Sequence, residues 1–234
     1  MTTIGDKLQQ VRTRIEKACT ACGRDAASVR LLAVSKTFPE VALREAHAAG
    51  QRAYGENYVQ EGVAKIQAMA DLRADIEWHC IGPVQSNKTR VVAEHFDWVH
   101  SIDRLKIAQR LSEQRPEGLA PIRLCLQVNV DAGANKSGVL PQEALALARQ
   151  IAELPRVQLR GLMAIPEPAE GFEAQRELFL RAATLFEEMK AAGLPLDVLS
   201  LGMSADLEAA IAAGSTMVRV GTAIFGGRDY GMPR

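Results

Sequence analysis

The chain has 234 residues, with 28 Lys or Arg balancing 28 Asp or Glu, so nothing in its net charge points to a nucleic-acid or anionic-membrane partner. That length suits one large α/β domain with a sizeable core, and a single domain over residues 1–234 is expected. No run of about 18 or more apolar residues occurs. The polar start Met1 to Lys7 does not resemble a signal peptide, and four scattered cysteines suit a reducing compartment, so the expected location is the cytoplasm.

Ile4, Leu8, Val11, Ile15 and Ala18 recur at helical spacing and predict an amphipathic helix ending near Gly23. Cys19 and Cys22 have CxxC spacing but lie late in this helix, away from the positive helix end that would activate a redox pair, so a structural role is expected. Next comes Leu31-Leu32-Ala33-Val34-Ser35-Lys36-Thr37-Phe38-Pro39, an apolar run that stops on a lysine. Strand alternation puts Lys36 on the same side as Val34, pointing inward, and Pro39 ends the strand behind it. An amine partly desolvated at the C-terminal end of a strand can attack a carbonyl. The same position also suits a lysine that snorkels to water.

Strands then alternate with helices. The first strand spans about 29–34 and its helix 39–49; the pairs that follow are 51–55 with 56–69, 77–81 with 87–95, and 98–102 with a helix capped by Asp103 and running to Gln114. Residues 122–130 form the longest strand pattern, and a polar loop separates it from a helix at 141–153. Strands at 157–163, 197–201 and 216–220 remain, with helices at 172–192 and 205–213. Eight strand signals in strict alternation predict an α/β fold, a single (β/α)8 TIM-type barrel with an extra N-terminal helix; a doubly wound open sheet is the alternative. His79 and Cys80 face opposite sides of their strand and cannot readily share a metal, so no metal site is expected.

A barrel requires strand-end residues to converge on one mouth, and here they are Lys36, Asn57, His79, Lys136, Met163, Ser204 and Arg219. Two consecutive loops carry the marks of phosphate binding. In Leu201-Gly202-Met203-Ser204-Ala205-Asp206, Gly202 permits a tight turn and Ser204 can cap the next helix. After the last strand, Gly221 permits close backbone approach and Thr222 supplies a hydroxyl. An aldehyde partner for Lys36 and a phosphate for these loops occur together in pyridoxal 5′-phosphate (PLP). Arg219 could donate to the pyridine nitrogen of such a cofactor, leaving the ring a poor electron sink. It could equally form a salt bridge closing the barrel.

The motifs Leu32-Ala33-Val34-Ser35-Lys36, Tyr54-Gly55-Glu56-Asn57-Tyr58-Val59-Gln60-Glu61, His79 to Lys88, Val128-Asn129, Lys136-Ser137-Gly138, Gly161-Leu162-Met163, Leu201 to Asp206 and Val218 to Gly226 span nearly the whole chain. In that order they resemble the pyridoxal phosphate homeostasis proteins, which share the barrel of the alanine racemase N-terminal domain. The resemblance implies a PLP-binding protein of vitamin B6 homeostasis that carries the cofactor as a Schiff base on Lys36. Ser204, Gly221 and Thr222 would hold the phosphate and Arg219 would face the pyridine nitrogen. Asn57 and His79 would lie beside the ring, with Met163 packing nearby.

Members of that family have no established reaction and are thought to store, buffer or deliver PLP, with PLP-dependent apoenzymes as recipients. A monomer is expected. The loop before Lys136 carries Gly133 where the family usually has glutamate, which leaves a transfer role for Lys136 less supported than binding at Lys36. A PLP-dependent racemase or lyase is the alternative, but racemisation needs a base on each face of the substrate carbon. No β-rich second domain follows the eighth strand signal to provide one. A third reading makes the chain a scaffold or regulator for which PLP is only a signal.

Overall fold

The eight apolar segments form strands that are buried on both faces: β1 (Arg30–Val34), β2 (Ala53–Glu56), β3 (Glu77–Cys80), β4 (Trp98–Ile102), β5 (Ile122–Gln127), β6 (Val157–Met163), β7 (Val198–Ser200) and β8 (Met217–Val220). In the computed structural model, which describes residues 2–131 and 137–227, they run parallel in chain order and close into a barrel. Closure is made by β8 pairing back on β1, from Arg30 opposite Met217 to Ala33 opposite Val220. An open sheet would leave these two edges unpaired, so the (β/α)8 reading holds and the doubly wound alternative does not.

Helices α1 (Ile4–Ala21), α2 (Glu40–Ala48), α3 (Val59–Ala68), α4 (Thr89–His95), α5 (Leu105–Gln114), α6 (Pro141–Ala152), α7 (Phe172–Ala191), α8 (Leu207–Ala212) and α9 (Thr222–Phe225) surround the barrel. The extra helix α1 opens with a capping box between Thr3 and Asp6 and buries Leu8, Val11, Ile15, Ala18 and Cys19. Those residues pack toward α2, α8 and α9, the helices that neighbour the closing strands in sequence. Cys19 is thereby an inert core thiol, its pKa raised by burial, while Cys22 caps the helix. Among the described residues no group of His, Cys, Asp and Glu is arranged to hold a metal, and no helix is long and apolar enough to cross a membrane.

Three local expectations are corrected. Helix α5 begins at Leu105 with Arg104 in the capping position, because the Asp103 carboxylate instead accepts from the Arg104 guanidinium at 2.8 Å. Strand β5 ends at Gln127, short of Val130: Val128 leaves the strand to bridge Val139, and the Asn129 N–H donates to Val139 O at 2.9 Å. Ser204 does not cap α8, since Asp206 holds that position.

The barrel interior is layered. Leu32, Ala53, Trp98, Cys125, Met163, Val198 and Met217 fill its middle. The N-terminal end is closed by charge: Glu77 accepts from both Arg30 and Arg123, Arg160 pairs with Asp197, and the Arg123 and Arg160 guanidiniums lie 5.2 and 5.7 Å from the Trp98 ring centre. Burial alone would raise the Glu77 carboxyl, but its two arginines outweigh burial and hold it below the usual range. Beside this ring, Gly161 sits in β6 opposite Val198, and a Cβ there would lie 1.6 Å from the Val198 carbonyl oxygen. Gly161→Ala must therefore push β6 from β7, and its urea unfolding curve should show a loss of about 3 kcal/mol or more. A loss below about 0.5 kcal/mol would contradict this packing.

Candidate functional site

Seven of the eight site residues expected from sequence line one cavity of about 360 Å³ at the C-terminal end of the barrel: Lys36, Asn57, Met163, Ser204, Arg219, Gly221 and Thr222. Val34, Phe38, Ile81, Ile165 and Met203 supply apolar walls. A wider hollow of about 440 Å³ lies at the opposite end of the barrel, but its arginines are already engaged: Arg30 by Glu77, Arg52 by Asp75, and Arg12 by Ala49 O. Barrel chemistry belongs to the C-terminal mouth, where loops rather than ladder bonds set the side chains.

Lys36 is half-buried, two residues past the end of β1 and on the same side as Val34, as strand alternation requires. The chain turns sharply behind it. Phe38 N–H donates to Ser35 O at 3.1 Å, and Thr37 adopts φ 69°, a left-handed conformation unusual for a β-branched residue. The Phe38 ring then stacks on Phe225 with centres 5.0 Å apart, tying this turn to α9.

The two glycine loops face Lys36 across the cavity. Gly202 has φ +86° and sits where a Cβ would come within 2.5 Å of Ala210, so only glycine fits. The Asp206 carboxylate accepts from Met203 N–H at 2.6 Å and fixes the turn that carries Ser204. Gly221 packs on β1, where an added Cβ would stand 3.0 Å from Val34 O. Among the described residues, the N–H groups of Ser204, Ala205, Thr222 and Ala223 have no backbone acceptor. Together with two hydroxyls they form a cradle for an anion. Helices α8 and α9 are only six and four residues long, so these individual N–H groups, rather than a long helix dipole, would do the holding. Helix α1 supports the cradle from outside, because Arg14 donates to Ser204 O at 3.0 Å while pairing with Glu208.

Arg219 is buried at the floor of the cavity. Its Nη1 donates to Ser200 O and Oγ at 2.7 and 2.8 Å, and Nη2 donates to Ala164 O at 3.2 Å. These acceptors are neutral, so among the described residues Arg219 makes no salt bridge closing the barrel. Burial pulls its pKa down to about 10, which still leaves it charged at neutral pH.

His79 is the exception among the expected site residues. It does not line the cavity but is fully buried inside the barrel, stacked on Trp98 with ring centres 5.3 Å apart. Strand β3 places Ile81 at the mouth and His79 one alternation step below it. From there a chain of contacts climbs to the cavity: His79 Nδ1 to His100 Nε2 at 2.9 Å, His100 Nδ1 to Ser200 Oγ at 3.2 Å, and Ser200 Oγ to Arg219. The chemistry assigns its protons. Arg219 donates to Ser200 Oγ, which can still either donate to or accept from His100; in the first order the Ser200 hydroxyl proton goes to His100 Nδ1 and His100 Nε2–H goes to His79 Nδ1. His79 Nε2–H then points toward Glu77 Oε2 at 4.0 Å; the reverse order would aim a lone pair at that carboxylate. His79 thus bears on the cavity through Ser200 and Arg219 rather than directly.

A family model described as "Alanine racemase, N-terminal domain" matches residues 7–229. The pyridoxal phosphate homeostasis protein of Pseudomonas aeruginosa is 58% identical over 233 residues, covering 100% of this chain and 99% of that one. The protein of that name from Escherichia coli K12 is 55% identical, covering 98% and 99%. This chain belongs to the pyridoxal phosphate homeostasis protein family. Among solved structures, PipY of Synechococcus elongatus with PLP bound is 40% identical, with a TM-score of 0.83 over 96% of this chain and 100% of that one. Alanine racemase from Corynebacterium glutamicum is 19% identical with a TM-score of 0.65, covering 97% of this chain and 63% of that one, and shares the fold.

Lys136 and Gly133 lie outside the described residues. Sequence reasoning missed Phe38, Ile81, Ile165 and Met203 as cavity walls. Alternation from His79 could have found Ile81, whereas Ile165 and Met203 sit in loops that carry no periodicity. Both buried histidines have pKa values pushed well below the ordinary imidazole value, first by burial and then by nearby positive charge. An unfolded chain takes up these protons as pH falls through about 6.5 and the fold does not, so the stabilisation they give is present above that pH and lost below it. Between pH 7.5 and 5.5 the unfolding free energy should drop by about 1.4 kcal/mol per histidine, measured by urea unfolding at the two pH values. A flat profile would show that the chain accepts protons while folded.

Proposed function

We propose that this protein binds pyridoxal 5′-phosphate at the barrel mouth, held covalently through Lys36, and serves intracellular vitamin B6 homeostasis without a robust reaction of its own. The observation that carries this reading is the pairing, across one cavity, of an amine just after β1 with a cradle of N–H groups and hydroxyls after β7 and β8. An aldehyde and an anion borne by one small molecule match that pair, and a relative 40% identical over nearly the whole chain has PLP bound. When bound, the cofactor supplies an aldehyde that condenses with an amine, exchanging C=O for C=N and releasing one water. Ser204, Gly221 and Thr222 would take the phosphate, Asn57 and Met163 would flank the ring, and Arg219 would meet the ring nitrogen as a donor that keeps its proton.

Two features favour a carrier over a racemase. Of the described cavity-lining residues, only Lys36 and Arg219 have ionisable side chains, so a second base is not supplied by them. A guanidinium at the ring nitrogen also leaves the ring weakly electron-withdrawing. The cavity is assembled within one chain, which fits a monomer, and its opening at the barrel mouth fits delivery of PLP to apoenzymes in the cytoplasm. Purified protein with added PLP should show an absorbance band near the visible edge that borohydride fixes to Lys36, and Lys36→Ala should stay colourless. A wild-type protein that remains colourless overturns the proposal. Amino-acid turnover at about 1 per second or faster would favour the racemase instead.

A further inference from the structure

Beneath the Lys36 turn lies a buried group of charges that the cavity does not use. Lys65, on α3, directs its three ammonium protons to Ser35 O at 2.7 Å, Glu56 Oε1 at 2.8 Å and Glu61 Oε1 at 2.7 Å. Its side chain is only 8% exposed, and that of Glu56 is fully buried. The Ser35 hydroxyl donates to Glu56 Oε1 at 2.6 Å, and the Thr37 N–H donates to Glu61 Oε1 at 2.5 Å. Ser35 is therefore tied to Lys65 and Glu56, and Thr37 to Glu61, with Lys65 joining the two carboxylates.

A buried ion pair adds little net stability compared with apolar packing, because desolvation offsets the attraction. Burial indeed raises the Glu56 pKa even against the pull of Lys65, and Glu56 Oε2 has no hydrogen-bond partner. What such a group does supply is fixed geometry. The bond to Glu61 holds Thr37 in its left-handed conformation, and the bonds to Ser35 fix the other side of the turn. The anion cradle anchors a ligand from β7 and β8, so the amine just after β1 must sit at a set reach from it. Locking the turn lowers the cost of bringing amine and aldehyde together.

We propose that Glu56, Glu61 and Lys65 are positioning residues for Lys36: a clamp between β2 and α3 that holds the lysine turn at the reach its ligand's anchored phosphate requires. This rests on the function proposed above and goes beyond it by naming what sets the reactivity of Lys36. Lys65→Met would strand a buried carboxylate and threaten the fold, so the test uses Glu61, whose side chain is 27% exposed. Affinities of wild type, Glu61→Ala and Glu61→Gln should be measured for PLP and for pyridoxine 5′-phosphate, which has an alcohol in place of the aldehyde. Amide exchange at Thr37 should be followed in the unliganded proteins.

Glu61→Ala should weaken PLP by about tenfold, the scale of one lost charge-assisted hydrogen bond, with pyridoxine 5′-phosphate affinity unchanged and Thr37 exchange faster. Glu61→Gln, which keeps an acceptor for Thr37, should recover most of the PLP affinity. Equal losses for both ligands, or no loss for either, would overturn the clamp. Wild-type protein that binds the two ligands equally and is not fixed by borohydride would instead overturn the function proposed above.

Discussion

Pairing of β8 with β1 is the constraint on which the rest of this structure depends. It brings the end of the last strand beside the end of the first, with Leu32 opposite Arg219 and Ala33 opposite Val220. Gly221 can then press onto Val34, and the loop it begins faces the lysine turn across one cavity. In an open sheet these strands would be the two far edges, and Lys36 and the cradle from Ser204 to Thr222, far apart in sequence, would not share a site. Closure also explains the position of α1. The helix packs toward α2, α8 and α9, and from there Arg14 reaches the carbonyl of Ser204. The extra N-terminal helix is thus joined to the loop that carries Ser204 as well as to the core.

The barrel's polar groups divide by height, and the division follows from dielectric cost. At the N-terminal end, Glu77 pairs with both Arg30 and Arg123, and all three side chains keep partial access to water. In the middle, where His79 and His100 are fully enclosed, the groups are neutral and linked by directional hydrogen bonds. At the mouth the buried cation Arg219 is satisfied by carbonyl and hydroxyl oxygens. Its partners occupy Nη1 and one side of Nη2, so its orientation is set from below. Small changes at Ser200 or His100 would reach the cavity through that guanidinium.

The sequence made legible whatever depended on one strand and its alternation. Lys36 announced itself as a charge ending an apolar run, and the glycine loops as turns that tolerate no Cβ. The barrel followed from eight repeats of the same alternation. What escaped depended on where a strand stops or on contacts between elements. His79 was assigned to the mouth because the strand pattern reached Ile81, yet alternation puts Ile81 there and His79 a step deeper. Ser204 and Asp103 were both plausible caps, and in each case a neighbour, Asp206 or Arg104, took the position. The burial of Lys65 is decided by Glu56 on the preceding strand, and no periodicity within α3 reveals it.

The proposed absence of a robust reaction has a physical basis in the cavity itself. Catalysis on a carbanion requires the ring nitrogen to accept charge, which a donor that never yields its proton discourages, and Arg219 stays protonated at neutral pH even with its pKa lowered by burial. The same guanidinium is held by three hydrogen bonds to neutral acceptors, so in the proposed binding mode it would face the ring nitrogen as a fixed donor. Lys36, by contrast, is set in a rigid turn suited to forming and keeping a covalent link. If the proposed attachment at Lys36 and the proposed contact of Arg219 with the ring hold, such a site would retain its ligand without transforming it, and storage or delivery asks for that combination.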